Sequence, residues 1–292
     1  MQKPFFSIVV VSLNPGERLE KTLNSILKQT FTNYEIVLKD GGSKDGSLSG
    51  LLEKGYFEGK DQIRLVQEKD KSIYDGMNQA VTYVKGRYVQ FLNCGDYFYS
   101  DTVLEEVAAY IEKQRKERME SNATGDFAIE IMEQQPAIYY GNQYNQLQNT
   151  IIYSAPQIND FTCYRNVPCH QVCFYDYRLF EKRAYELKYR VRADYEHFLY
   201  SIYEEGAKGI SLPIVVASYE GGGFSETKEN RKCSAMEHKE ITTKYLGKAK
   251  VFKYRMIMWL TLAPVRTMIA ENPTLSGIYN GIKNGIYKLL RR

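Results

Sequence analysis

The chain has 292 residues, of which 43% are hydrophobic and 25% charged, and it carries a formal net charge of +4. These values are typical of a soluble globular protein, and the length allows one large domain or one domain with an appendage. The first residues lack a signal-peptide cleavage site, and the longest apolar run, residues 256–263, is too short to span a bilayer. We therefore expect a cytoplasmic protein without a membrane span.

The basic residues are concentrated at the end of the chain. From residue 247 onward there are nine lysines and arginines and one acidic residue, so this segment carries +8 and the rest carries −4. A general nucleic-acid binder would spread basic charge over its folded body, so we do not expect nucleic acid as a partner. The five cysteines match no zinc spacing, and we interpret them as reduced thiols.

The N-terminal part alternates strand and helix patterns. Residues 6–13 are a β-branched apolar run, residues 17–29 carry apolar side chains at helical spacing, and residues 34–39 are a second apolar run. This order predicts a βαβ unit whose first strand is central in a parallel sheet. The G-x-G-x-x-G fingerprint is absent, which argues against a nicotinamide-dependent dehydrogenase.

Residues 40–46, with the sequence DGGSKDG, directly follow the second predicted strand. Asp40 stands at the strand end, where open α/β sheets bind ligands, and Gly41 permits close approach of the backbone. The alternative is a turn in which Ser43 or Asp45 caps the next helix. We predict that Asp40 binds a ligand and that Asp45 shapes the loop.

A third strand is predicted at residues 63–67, followed by a helix for which Ser72 is the N-cap candidate. The apolar stripe of this helix is interpreted as core packing. Asp70, just before the helix, and Asn78, beside its other face, are candidates for ligand contact. A purely structural role for both stays open.

Residues 88–92 are a short run of β-forming side chains that ends in residues 93–96, NCGD. A carboxylate just past a buried strand lies at the ligand-binding edge of an α/β sheet. Asp96 could hold a hard divalent cation, and the cation could hold a diphosphate. The alternative is that Asp96 caps the following turn.

The middle of the chain is predicted to be a helical surface excursion, residues 101–136. Strands at 137–140 and 172–175 then begin a second half of the domain. A further strand at 210–217 is interrupted by Pro213, which predicts an edge strand. The segment EGGGFS that follows predicts a flexible loop.

Two polar elements of the second half are candidate site residues. His170 and Gln171 immediately precede a predicted strand, and His170 is one of three histidines. Asp194 falls in the first turn of a predicted helix, where the helix dipole favours an ionised carboxylate. Such a carboxylate can cap the helix or act as a general base, and we favour the base.

The end of the chain combines apolar stripes with basic residues, around Trp259 and again over residues 278–292. Basic amphipathic helices with tryptophan and tyrosine are typical of membrane interfaces. The alternative is a pair of helices that packs on the catalytic domain or on a partner. We therefore expect an anionic membrane surface to be a candidate partner.

Taken together, SIVVVSLN, YEIVLKDGGSKDGS, EKDKSIYDGMNQA, FLNCGD and the later HQ, RADYE and GGGFS segments resemble family 2 glycosyltransferases, which carry the GT-A fold. They occur in the family's order over most of residues 5–225. The resemblance implies Asp194 as the base that deprotonates the acceptor and Asp96 as the ligand of Mg²⁺ or Mn²⁺. It implies nucleotide contacts from Ser12, Asn14, Asp40, Gly41, Asp70 and Asn78, and donor or acceptor contacts from Asn93, His170, Gln171, Gly222 and Ser225.

One departure from the family pattern concerns the cation. The family usually has acidic residues at the positions of Asn93 and Gly95, so only Asp96 remains here. Metal ligation is therefore expected to depend on fewer carboxylates or on the substrate.

The predicted architecture is α/β, with a nucleotide-sugar half at 1–100, an acceptor half at 137–225 and a basic amphipathic helical tail at 226–292. The expected function is inverting transfer of a sugar from a nucleotide sugar, preferably UDP-linked, to a hydroxyl of a glycan or lipid-linked acceptor. The alternative from another class is a sugar-nucleotide-binding scaffold that has lost catalysis. A polymerising synthase is disfavoured because it would need membrane spans.

Overall fold

The structure is a computed structural model that describes residues 3–121, 135–221, 227–261 and 281. The strands are β1 (Phe6–Ser12), β2 (Tyr34–Asp40), β3 (Ile63–Gln67), β4 (Tyr88–Phe91), β5 (Tyr97–Phe98), β6 (Ala137–Asn145), β7 (Thr150–Ile152), β8 (Cys173–Asp176) and β9 (Lys208–Tyr219). The α-helices are α1 (Arg18–Leu27), α2 (Ser47–Glu53), α3 (Ile73–Val81), α4 (Val103–Ser121), α5 (Asp160–Arg165), α6 (Arg178–Lys182), α7 (Ala193–Tyr203) and α8 (Lys228–Leu260).

The described strands form one mixed sheet in the order β3-β2-β1-β4-β8-β6-β9-β5, with β7 paired to β6. Strands β3, β2, β1 and β4 are parallel to one another, whereas β8 is antiparallel to both β4 and β6. The α/β prediction is confirmed, and β1 is central as expected. Because the parallel strands all end at the same edge, the loops after β1, β2 and β4 converge there.

The core of the parallel half comes from the apolar runs seen in the sequence. Ile8, Val9 and Val10 of β1 are buried, and Leu19 and Leu23 on the apolar side of α1 belong to the same core cluster. The apolar stripe of α3 is likewise buried, as interpreted from its spacing. Helix α3 begins at the predicted cap, since the Ser72 side chain accepts a hydrogen bond from the Asp75 amide.

The strand that contains Pro213 is not an edge strand, and that prediction is wrong. Strand β9 lies between β6 and β5 in the sheet. Pro213 is accommodated because the register between β6 and β9 shifts there, from the pair Tyr140 and Ser211 to the pair Asn142 and Val215. A bulge is the other place where a sheet tolerates proline, since the ladder is already interrupted.

The first half of α8 is packed against the second half of the sheet domain. The Glu237 carboxylate accepts hydrogen bonds from three consecutive backbone amides, those of Arg190, Val191 and Arg192, at 2.7, 3.0 and 2.9 Å. Buried Glu196 of α7 pairs with Lys244 of α8 at 2.9 Å. Helix α8 therefore fixes the segment that leads into α7.

Helix α8 is divided at Gly247, whose φ of 75° and ψ of 158° are not helical. Described residues before this point include buried Ile241 and Leu246, whereas no described residue after it is buried. Within the described residues, no helix combines the length and apolarity needed to cross a membrane. Residues 122–134 of the predicted excursion, Gly222 and Ser225 lie outside the described residues, as does the stripe at 278–292 apart from Gly281.

The Glu237 contacts generate a stability prediction. Glu237→Ala leaves three amides without their acceptor, each costing about 1–3 kcal/mol when buried, so we expect the free energy of unfolding to fall by about 3 kcal/mol. Denaturant unfolding measures it. Glu240→Ala on the same helix is the matched control: its side chain is 59% exposed, and the expected loss is below about 1 kcal/mol. Equal losses in the two variants would contradict the packing role of Glu237.

Candidate active site

A cavity of about 550 Å³ lies at the carboxyl edge of the parallel strands. Its walls come from the ends of β1 and β4, the start of α3, the turn before β8, the start of α7 and the end of β9. It brings together eight residues that the sequence singled out: Ser12, Asn14, Asp70, Asn93, Asp96, His170, Gln171 and Asp194. Asp40, Gly41 and Asn78 are not part of its lining.

Asp194 is the carboxylate on one side of the cavity, in the first turn of α7. His170 Nδ1 lies 2.9 Å from Asp194 Oδ2, and the Tyr74 hydroxyl lies 2.8 Å from Asp194 Oδ1. Burial acts to raise the pKa of Asp194, but hydrogen bonds from His170 and Tyr74, together with the positive charge available to His170, outweigh it and lower the pKa below its usual value. Asp194 is therefore ionised at neutral pH and able to accept a proton.

Asn93 holds the other side of the His170 ring. Its Nδ2 lies 2.9 Å from His170 Nε2. The His170 ring thus lies between Asn93 and Asp194, with one ring nitrogen within hydrogen-bond distance of each. Asn93 thereby links the loop after β4 to the carboxylate of α7. Its Oδ1 is buried and has no hydrogen-bond partner among the described residues.

Asp96 also lines the cavity and is almost fully buried. Its Oδ2 accepts a hydrogen bond from Gln171 Nε2 at 3.1 Å, and its Oδ1 accepts one from the Glu220 amide at 3.4 Å. Burial raises the pKa of Asp96 to about 6, against the hydrogen bond from Gln171 and the charge of His170. The loop is anchored by Thr22, whose hydroxyl accepts from Gly95 and donates to the Asp96 carbonyl.

Asp40 organises the loop after β2. Its carboxylate accepts hydrogen bonds from the amides of Gly42 and Ser43 at 2.9 and 2.8 Å, and from the hydroxyls of Ser12 and Ser43. Burial acts to raise its pKa, but the bonds from Ser43, Gly42 and Ser12 hold it below the usual value. The contact between Asp40 and a nucleotide base stays a prediction.

The loops after β1 and β2 are tied to each other. Asn14 accepts a bond from the Lys44 amide and donates its own amide to Ser43 Oγ, both at 2.8 Å. Asp45 shapes the same junction by accepting from the Gly16 amide at 2.8 Å. These contacts fix the rim of the cavity beside Ser12.

Asp70 is paired with a cation that the sequence did not single out. Lys39 Nζ, which is fully buried, lies 2.7 Å from Asp70 Oδ2. A Cβ on Gly41 would lie 2.6 Å from the same oxygen, so only glycine fits beside this pair. The signal in the sequence was a lysine inside an apolar strand, since such a charge needs a partner.

The Asn78 side chain is hydrogen-bonded to the protein backbone at both ends. Its Nδ2 donates to the Tyr185 carbonyl and its Oδ1 accepts from the Tyr185 amide, both at 2.9 Å. Both ends of the amide are thus used to join α3 to the segment before α7. Nucleotide contact by Asn78 stays a prediction.

Three further cavity residues had not been predicted as site residues. Tyr74 is buried and holds Asp194, and burial together with the Asp194 charge raises its pKa well above the usual value, so it stays a hydrogen donor. Arg18 Nε and Glu220 Oε2 form an ion pair at 3.3 Å across the mouth of the cavity. In the sequence, Arg18 is a basic residue at the start of the first helix, and Glu220 is an acid just before the glycine run.

The sequence comparisons agree with this geometry. The model of the family described as Glycosyl transferase family 2 matches residues 7–157. The "PGL/p-HBAD biosynthesis glycosyltransferase" of Mycobacterium bovis (strain BCG / Pasteur 1173P2) is 32% identical over 232 residues, covering 78% of this chain and 81% of that protein.

Two solved structures share the fold. The crystal structure of S. aureus TarS 1–349 in complex with UDP-GlcNAc has a TM-score of 0.59 at 16% identity, covering 82% of this chain and 71% of that one. The mannosyltransferase PcManGT from Pyrobaculum calidifontis, in complex with GDP-Man and Mn²⁺, has a TM-score of 0.60 at 14% identity, covering 100% of this chain and 83% of that one. In two other TarS structures the chain spans 60% and 42% of the TarS chain. The chain belongs to glycosyl transferase family 2, and it is a glycosyltransferase with the GT-A fold.

Proposed function

We propose that the protein transfers a sugar, with inversion, from a UDP-linked donor to a hydroxyl of a glycan or lipid-linked acceptor. The observation that carries this proposal is the pair of carboxylates that line one cavity: Asp194, kept ionised by His170 and Tyr74, and Asp96 beside Gln171. One can accept a proton from the acceptor while the other manages the charge of the leaving diphosphate.

The comparisons support the donor class. TarS binds UDP-GlcNAc, and the mannosyltransferase binds GDP-Man with Mn²⁺. The M. bovis relative is named as a glycosyltransferase of PGL/p-HBAD biosynthesis. The choice of UDP and the type of acceptor are our proposal, and they rest on the resemblance of the motifs and on the end of α8 discussed below.

In the proposed mechanism Asp194 takes the proton of the acceptor hydroxyl. The freed oxygen attacks the anomeric carbon from the face opposite the diphosphate, and the bond from that carbon to the diphosphate oxygen breaks. Each Asp194 oxygen already receives one hydrogen bond, from Tyr74 or from His170, so the carboxylate is fixed in orientation. This fixed position reduces the entropy lost in reaching the transition state.

A divalent cation fits beside Asp96. Asp96 offers a carboxylate, and Asn93 Oδ1 and Gln171 Oε1 are buried without hydrogen-bond partners among the described residues. Carboxylate and amide oxygens are the ligands that Mg²⁺ and Mn²⁺ prefer. Bound there, the cation supplies charge that neutralises the departing diphosphate. We propose Asp96 as its principal ligand.

The end of α8 supports the proposed membrane contact. Phe252, Met256, Trp259 and Leu260 are exposed and recur at helical spacing, so they share one face. Lys253 and Arg255 lie in the same segment. An apolar face with basic neighbours is suited to the interface of an anionic leaflet, where lipid-linked acceptors are presented. We propose peripheral association with the cytoplasmic leaflet.

The first test of this function concerns the base. Asp194→Asn should leave folding and donor binding intact but lower kcat by a factor on the order of a hundred or more, as loss of a general base does. Steady-state transfer from UDP-sugars measures it. Asp160→Asn, the same change in the first turn of α5, is the control and should leave kcat unchanged. Near-normal turnover of Asp194→Asn at saturating acceptor would contradict the assignment.

The second test concerns the cation. Asp96→Asn removes the carboxylate and should weaken Mn²⁺-dependent UDP binding by about tenfold or more. Calorimetric titration of UDP with and without Mn²⁺ measures this change. Asp101→Asn, an exposed acid just after β5, should leave the metal dependence unchanged. Equal UDP affinity of wild type and Asp96→Asn in Mn²⁺ would refute the role of Asp96.

The third test concerns the end of α8. The full chain should co-sediment with anionic liposomes at low salt, less so at high salt, because salt screens the basic residues. Trp259→Ser with Leu260→Ser, and a chain ending at Leu246, should stay in the supernatant. Met236→Ser, an exposed residue in the first half of α8, is the control and should sediment like wild type. If the full chain does not bind, the membrane proposal is wrong.

A further inference from the structure

Glu220 places a second carboxylate beside Asp96. It directly follows β9 and lines the same cavity. Gly95 has a φ of 103°, and a Cβ built on it would lie 2.7 Å from Glu220 Oε2. The Glu220 carboxylate therefore occupies the space that a side chain at residue 95, next to Asp96, would fill. The backbone of Glu220 is joined to Asp96 as well, through its amide at 3.4 Å.

Two residues that line the cavity carry buried amide oxygens without a partner. Gln171 is only 8% exposed, its Nε2 donates to Asp96, and its Oε1 has no hydrogen-bond partner among the described residues. Asn93 Oδ1 is likewise buried and unpartnered within the part of the chain that the structure describes. A buried acceptor without a donor is unfavourable, and a hard cation satisfies it.

The existing partner of Glu220 does not prevent this role. Its Oε2 lies 3.3 Å from Arg18 Nε, and the two side chains are 43% and 64% exposed. An ion pair exposed to this extent is weak and screened by solvent. A divalent cation at Asp96 competes for the Glu220 carboxylate with twice the charge of the guanidinium.

We propose that Glu220 supplies the second carboxylate of the divalent-cation site, from the end of β9, in the space that Gly95 leaves open. The sequence pattern lacks an acid at residues 93 and 95, and a residue more than a hundred positions later compensates for it. The inference rests on the proposed function, because the cation is the one that holds the donor diphosphate.

Arg18 provides the control that separates this role from a purely structural one. If Glu220 serves only to hold Arg18, removing either partner has the same effect. If Glu220 binds the cation, Arg18 competes with the cation for it. Glu220→Gln then lowers cation affinity, whereas Arg18→Gln leaves it unchanged or raises it.

The experiment is titration of Mn²⁺ alone into the full chain, read by the electron paramagnetic resonance signal of free Mn²⁺. We expect Glu220→Gln and Asp96→Asn each to raise the Kd by about tenfold or more. Arg18→Gln should not raise it, and thermal unfolding should show all variants folded. An unchanged Kd for Glu220→Gln, an equal loss in Arg18→Gln, or no Mn²⁺ binding by wild type would overturn the inference.

The same experiment separates this inference from the proposed function. Donor consumption is measured in parallel with UDP-sugars and the wild-type chain. Consumption together with an unchanged Kd for Glu220→Gln leaves the function intact and removes only the Glu220 assignment. A tenfold increase of the Mn²⁺ Kd in Glu220→Gln, without consumption of UDP-sugars by the wild-type chain, keeps the cation site and removes the proposed donor.

Discussion

The structure of the site depends on keeping one carboxylate charged where little water reaches it. The Asp194 side chain is 23% exposed, and its charge is stabilised by Tyr74 from α3 and by His170 from the turn before β8. These partners come from the two halves of the chain, so the base exists only when the halves are assembled. The same contacts that stabilise the charge also fix the direction from which a hydroxyl can approach.

Helix α8 stabilises this arrangement from behind. Glu237 accepts hydrogen bonds from the three backbone amides just before α7. Glu196, two residues after Asp194, forms ion pairs with Arg183 and Lys244. The first half of α8 is therefore part of the catalytic body. After Gly247 no described residue of the helix is buried, and its contacts with α5 are at the surface, from Lys250 to Asp160 and from Tyr254 to Phe161. One helix thus joins the site to the segment proposed to meet the membrane.

The surroundings of Asp96 differ from those of Asp194. Asp96 is more buried than Asp194 and forms no ion pair with a basic side chain among the described residues. Its pKa is therefore raised, whereas that of Asp194 is lowered. The surroundings of the two carboxylates thus shift their pKa values in opposite directions. This pattern is typical of sites in which one carboxylate handles a proton and the other stabilises charge. Asn93 contacts the histidine of one side and lies in the loop of the other.

The sequence by itself determined the elements that local physics controls. Apolar periodicity indicated the parallel strands and the helix stripes, and Ser72 indicated the start of α3. The end of a predicted strand pointed to Asp96, and the first turn of a predicted helix pointed to Asp194. The motif order also indicated the family. These features depend on residues close together along the chain, so a linear pattern contains them.

Only the tertiary structure decided which distant groups meet. It paired Lys39 with Asp70, Asn78 with the backbone of Tyr185, and Tyr74 with Asp194. It also placed Pro213 at a register shift between β6 and β9, in a strand whose other side pairs with β5 at Ala217 and Ser218. The carboxylate of Glu220 reaches the space over Gly95 through that same strand arrangement. No local pattern encodes such contacts, because they arise from sheet order and from the packing of segments far apart in the chain.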